Sequence, residues 1–181
     1  MEYPYAGIIK GGIFMKCAFT GPQPKSLPFR CHEDDPAYDD LTQRIIKEVV
    51  QLCEQGVREY YVGMAAGCDL LCCEVALSMK EIYPDVKVHA VMPFRGQADK
   101  WTPNIQAWYK KLIEQCDTAV CLNEKYVDNC YLFRNYYMVD NSNILIAICA
   151  PDKIPLRSGT GATVRYARSK GKRIIFVPPV K

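Results

Sequence analysis

Gly63-Met64-Ala65-Ala66-Gly67-Cys68-Asp69 follows an apolar run, Tyr60-Tyr61-Val62, and leads into a helix-like pattern near Leu70. Small residues between a strand and a helix suit an anion. Glycine allows positive φ and lets the backbone approach a ligand closely. The first N–H groups of a helix lack intrahelical partners and carry partial positive charge, which favours a phosphate or carboxylate. A second stretch has the same character. Arg157-Ser158-Gly159-Thr160-Gly161 leads into another helical pattern, with Thr163 adding a third hydroxyl. Thr160 is placed either to cap that helix or to donate to a phosphate, and Arg157 either to pair with the phosphate or to stay solvated. Both loops also read as plain strand-to-helix turns, the second with an ordinary cap.

The acids beside the first loop are Asp69 and Glu74. Asp69 sits where a carboxylate caps a helix start; the functional alternative is a ribose hydroxyl contact. Glu74, between Cys73 and Val75, faces either solvent or the cleft. The two histidines offer little. His89 alternates with Val88 and Val91 in a strand and reads as structural, and His32 beside Cys31 makes only a weak Cys–His pair. Gly-x-x-x-x-Gly-Lys-Ser/Thr is absent, as are Gly-x-Gly-x-x-Gly after the first strand and the Gly-x-Ser-x-Gly elbow. These absences argue against a P-loop NTPase, a dinucleotide dehydrogenase and an α/β-hydrolase.

The elements that must hold these loops alternate along the chain. Strands are predicted at Lys16–Thr20, Glu59–Val62, Val86–Met92, Thr118–Leu122, Ile144–Cys149 and Arg173–Val177. Helices are predicted from an Asp39 or Asp40 cap to Gln55, then over Cys68–Ile82, Asn104–Gln115 and Gly161–Lys170. Tyr126–Val139 is aromatic, with a helical second half. The third predicted helix turns Trp108, Leu112 and Ile113 inward. Alternation without hairpin signals predicts an α/β, Rossmann-like three-layer α/β/α fold with a mostly parallel sheet. Ligands in such sheets sit beyond the carboxyl ends of the strands, near the point where strand order reverses. Besides the two glycine loops, that directs attention to Thr20-Gly21-Pro22 and to Pro93-Phe94-Arg95-Gly96-Gln97 with Trp101.

The chain has 181 residues, of which 49% are hydrophobic and 24% charged, the profile of an ordinary globular protein. Residues 1–14 read as a flexible lead-in, with Met15 an alternative start, and residues 15–181 as one domain. The formal charge of +3 suits a nucleotide phosphate without marking a nucleic-acid binder. Ten cysteines without a Cys-x-x-Cys pair, several of them in apolar runs, fit free thiols in a reducing cytoplasm rather than zinc or disulfides. No metal site and no membrane span are expected.

A set of short motifs resembles the YpsA-like branch of the SLOG superfamily, which also holds the Smf/DprA and LOG proteins. The set comprises Cys17-Ala18-Phe19-Thr20-Gly21-Pro22-Gln23-Pro24, Gly63 to Asp69 with Glu74, the Trp101 region, Arg134-Asn135 with Met138-Val139-Asp140, and Ser158-Gly159-Thr160 with Thr163-Val164 and Tyr166-Ala167. The resemblance runs in order from Met15 onward. It implies a Rossmann-like fold holding a nucleotide or a nucleotide derivative, NAD- or ADP-ribose-like, through Thr20, Gly21, Gly63, Met64, Ala65, Gly67, Asp69, Glu74, Arg134, Asn135, Ser158, Gly159 and Thr160. The Gly-Gly-Thr of the family's last motif appears as Ser158-Gly159-Thr160, which keeps the small turn. Pro22 and Gln23 stand where the family usually has His and Arg. Ala162, Thr163 and Val164 occupy the neighbourhood of the LOG glutamate, which argues against transfer of the LOG reaction.

Three functions follow as expectations. The first is a binding or sensing module for a nucleotide-type ligand. The second is an N-glycosidase acting on a nucleoside monophosphate, with Asp69 or Glu74 stabilising the ribosyl cation. The third, disfavoured by the weak charge, is single-stranded DNA binding through Trp101, Trp108 and Tyr126 with Arg95 and Lys100. Homo-oligomerisation stays open.

Overall fold

The computed structural model describes residues 15–27, 29 and 34–179. The expected lead-in and the Cys31–His32 pair lie outside these residues. Strands β1 (Met15–Thr20), β2 (Val57–Val62), β3 (Lys87–Met92), β4 (Thr118–Cys121), β5 (Ile144–Ala147) and β6 (Arg173–Phe176) alternate with helices. The helices are α1 (Pro36–Glu54), α2 (Cys68–Ser78), α3 (Pro103–Ile113), α4 (Cys130–Asp140) and α5 (Gly159–Ser169). The strands form one sheet in the order β4-β3-β2-β1-β5-β6, and every neighbouring pair is parallel. The architecture is thus Rossmann-like and three-layered, with the sheet wholly parallel.

Side chains alternate across β1. Cys17 and Phe19 enter the larger core, with Leu41, Ile45 and Val49 of α1 and the apolar residues of α2; Leu112 of α3 closes it. Ala18 faces the opposite side, where Met138 and Val139 of α4 meet Val164 and Ala167 of α5. This two-sided burial explains why β5 is apolar at every position. From β1 the chain steps outward through β2 and β3 to β4, then returns through α4 to the other side of β1. Strand order therefore reverses between β1 and β5, the position at which open parallel sheets generally hold their ligands.

Several boundaries differ from those predicted. Helix α1 starts earlier, because Asp35 is the cap: its Oδ1 accepts from the Ala37 N–H at 2.9 Å. Pro36 then occupies the first helical position, where its missing N–H costs nothing. Strand β2 begins at Val57 because Gly56, at φ +90°, has already reversed the chain. Helix α2 is α-helical only to Ser78, followed by a 3₁₀ turn over Met79–Glu81. Strand β5 stops at Ala147 although the apolar run continues; the Ile148 N–H still donates to the Thr20 carbonyl, at 2.8 Å. Helix α5 begins at Gly159 and is capped by Ser158, not Thr160. In α3, Leu112 is buried, while Trp108 and Ile113 are only partly covered.

Candidate functional site

The first glycine loop leaves β2 at Gly63 and enters α2 at Cys68. Its shape is specified at three positions. A Cβ on Gly63 would overlap the Arg134 guanidinium and lie 2.6 Å from Asp69 Oδ2. Met64 is buried at φ +57°, a left-handed conformation unusual for a side chain of its size. The Met64 carbonyl accepts from Gln97 Nε2 at 3.1 Å, which ties the loop to the segment after β3. Gly67, at φ +93°, packs so closely on Pro24 that a Cβ would lie 2.7 Å from Cδ. Gly67 is also the N-cap of α2, so no side chain caps that helix.

Asp69 does not cap its own helix. Its Oδ2 turns back, accepts from the Ala65 N–H at 3.2 Å and lies 3.4 Å from Arg134 Nη1. Both side chains are buried, Asp69 at 7% exposure and Arg134 at 4%. Burial pushes the Asp69 carboxyl above its usual range, opposed by the neighbouring guanidinium and by the Ala65 N–H. Arg134 also donates to the Gly63 carbonyl, and its Nε donates to Asn135 Oδ1 at 2.8 Å.

From there the contacts run on to the second loop. Asn135 Nδ2 pairs with Thr163 Oγ1 at 2.8 Å, and that hydroxyl donates to the Gly159 carbonyl at 2.7 Å. Asp69, Arg134, Asn135, Thr163 and Gly159 thus form a continuous polar chain through α4 that joins the two glycine loops. Ser158 Oγ accepts from the Gly161 N–H at 3.0 Å, and a Cβ on Gly161 would overlap the Pro155 carbonyl oxygen. Thr160 is buried at the helix start. Gly159 is more open, its added Cβ meeting Asn135 Nδ2 only at 3.9 Å. At the end of β1, Thr20 is buried, and a Cβ on Gly21 would lie 2.6 Å from that of Cys68.

Above the first loop is a cleft of about 290 Å³, lined by Gln23, Pro24, Lys25, Ala65, Ala66, Trp101 and Tyr131. Its edges present two aromatic rings. Trp101 is braced edge-on by Tyr109 at 5.5 Å, and Tyr131 by Phe94 at 5.9 Å. Lys25 supplies a cationic wall.

Glu74 lies elsewhere. Five residues along a helix turn a side chain by about 140° relative to Asp69. Glu74 is exposed and lines a separate groove of about 570 Å³, with Tyr38, Asp39, Ala107, Trp108 and Lys111. Trp108 belongs to that groove too, so it does not share the Trp101 cleft. Arg95 is engaged by Glu124, with Nε 2.9 Å from Oε2.

The chain matches the family model YpsA, described as the YspA SLOG family, over residues 17–179. The chain belongs to the YpsA family of SLOG proteins. Family relatives include the UPF0398 protein SERP1017 of Staphylococcus epidermidis, 27% identical over 127 residues and 68% of each chain. The UPF0398 protein YpsA of Bacillus subtilis is 25% identical over 138 residues, 75% of this chain and 76% of its own. The UPF0398 protein SSP1297 of Staphylococcus saprophyticus is 32% identical over 94 residues, about half of each chain.

In this YpsA-family chain, Gly63, Ala65, Asp69, Arg134, Asn135 and Gly159, all picked from the motifs, are joined by the polar chain, but of the picked residues only Ala65 is among those that line the cleft, and Glu74 lines the other groove. Sequence reasoning passed over Lys25 and Tyr131 as cleft walls, and it did not anticipate Gln97 as the clamp on Met64. The aromatic stretch Tyr126–Val139, which α4 largely occupies, was the available signal for Tyr131. Lys25 carried no signal, since a lone lysine in a proline-rich loop reads as solvated surface. Among the described residues, no helix is long and apolar enough to cross a membrane.

Proposed function

We propose that the chain binds a nucleotide or nucleotide-derived ligand in the cleft over the first glycine loop. The observation that carries this reading is the opening of α2. Its cap residue has no side chain, the loop before it is pinned in a left-handed turn, and a cleft with aromatic edges and a lysine lies over Ala65 and Ala66 of that loop. Such a helix start favours a phosphate, and Lys25 adds to the attraction. Trp101 and Tyr131 offer flat faces to a base. The Asp69–Arg134 pair supports the loop from beneath, and the paired charges leave little net field against an anion.

The N-glycosidase reading draws less support. Asp69 is buried and occupied by Arg134 and the loop N–H, and Glu74 opens on a different groove. Neither carboxylate is free at the cleft to stabilise a ribosyl cation. Isothermal titration with nucleoside mono- and diphosphates, NAD and ADP-ribose tests the proposal. Saturable binding to at least one, weakened by Lys25→Ala, is the expected outcome. Failure of the whole panel to bind at millimolar concentration would remove the reading.

A further inference from the structure

Two thiols outside the cleft lie unusually close. Cys73 is on α2 with its side chain fully buried, and Cys116 is in the turn after α3, half-buried; their Sγ atoms are 3.8 Å apart. The Cys116 sulfur is further positioned 3.4 Å from the Leu112 carbonyl oxygen. Lys80 lies alongside, its Nζ 3.4 Å from the Gln115 carbonyl oxygen and 2.6 Å from Asp117 Oδ2.

We propose that Cys73 and Cys116 form a reversible redox-modification site, in which Cys116 reacts with a peroxide and Cys73 resolves the product to a disulfide. The division of labour follows from exposure. Cys116 is reachable from solvent and Cys73 is not. The neighbouring Cys73 thiol, followed by Lys80, also holds the Cys116 thiol below its ordinary value, while hydrogen bonding to Cys116 and burial push Cys73 up.

The chemistry balances with hydrogen peroxide as oxidant. The Cys116 thiolate attacks one peroxide oxygen; an S–O bond forms, the O–O bond breaks, and the departing hydroxide takes a proton to become water. Cys73 sulfur then attacks the Cys116 sulfenic sulfur; an S–S bond forms, the S–O bond breaks, and the hydroxyl leaves as water with the Cys73 proton. Two thiols lose two electrons, and one peroxide becomes two waters. The sulfurs must close from 3.8 Å to about 2.05 Å. The product tethers α2, the helix that follows the Ala65-Ala66 loop under the cleft, to the turn after α3.

The test treats the fully reduced native chain with equimolar hydrogen peroxide, alkylates the remaining thiols, and maps the peptides by mass spectrometry. The expected result is a Cys73–Cys116 linked peptide that disappears on reduction, with the same linkage in Cys121→Ser, which removes the cysteine that is exposed among the described residues. Dimedone should label Cys116 in Cys73→Ala, and Cys73 should stay reduced in Cys116→Ser. Oxidation confined to Cys121 in the wild-type chain, with Cys73 and Cys116 both alkylated, would overturn the proposal. So would a Cys73→Ala chain that takes up no dimedone at Cys116. The wild-type result decides the matter even if a core variant folds poorly.

Discussion

Gly63, Asp69 and Arg134 form a unit that none of the three would form alone. The guanidinium occupies the space a Gly63 side chain would need, and the carboxylate and the Gly63 carbonyl both engage it. Gly63→Ala is therefore expected to destabilise the fold by about 2–4 kcal/mol, since it overpacks the site and displaces a buried ion pair. The shift in urea midpoint measures it. Arg134→Met should cost about 3 kcal/mol by leaving Asp69 unpaired. The double variant Asp69→Leu, Arg134→Met should recover at least about 1 kcal/mol of that loss, because no orphaned charge remains. A double variant as unstable as the sum of its parts would show that the pair is not coupled. The motifs already pointed to all three residues. Their pairing was not legible, because 65 residues separate Asp69 from Arg134 and only the return of α4 across the sheet brings them together.

The two helices that follow the glycine loops start differently. Helix α5 is capped by Ser158, whereas α2 has no side-chain cap. Ser158→Ala should cost about 1 kcal/mol in thermal or chemical unfolding and leave affinity for the proposed ligand of the Ala65-Ala66 cleft within about twofold. A larger loss of affinity would mean that the second loop also touches the ligand. The sheet makes a further prediction through β2 and β3. His89 stacks on Tyr61, its Nδ1 is 2.8 Å from Thr118 Oγ1, and its Nε2 is 3.3 Å from Glu59 Oε2; Lys16 and Asp117 are the other charges near it. Burial depresses the imidazole below its ordinary 6.5, against the pull of Glu59. A depressed value means that the unfolded chain takes up the proton first. The stability His89 contributes is thus present above about pH 6.5 and lost as pH falls through the folded value. His89→Gln should flatten that part of the stability-versus-pH curve. An unchanged slope would assign the loss to carboxylates instead. Helices and strands at this scale were largely legible from periodicity. The misplaced ends trace to Pro36, Gly56 and Ser158, where a cap or a reversal governs the backbone and the apolar pattern does not.

At the scale of the molecule, the reversal of strand order between β1 and β5 collects loops from distant parts of the chain at one end of the sheet. Gln23 to Lys25 come from the segment after β1, Ala65 and Ala66 from the loop after β2, Trp101 from the segment after β3, and Tyr131 from α4. If the cleft holds a nucleotide as proposed, Trp101→Ala should weaken its binding by about tenfold, in line with the loss of one stacked ring. The variant's melting temperature should fall as well, by the packing Trp101 makes against the core and Tyr109. Loss of stability without loss of affinity would make Trp101 a packing residue instead. The sequence alone determined the alternating elements, the parallel sheet, the two glycine loops and the family resemblance. Each of these depends on local periodicity, on the backbone freedom of glycine or on contiguous motifs, all readable within short windows. Only the tertiary structure decided that Asp69 belongs to Arg134, that Gln97 clamps Met64, and that Glu74 opens on another groove. Those outcomes depend on which distant segment the sheet order brings to meet a side chain, including the α3 wall that Glu74 meets, and that pairing is written in no short stretch of residues.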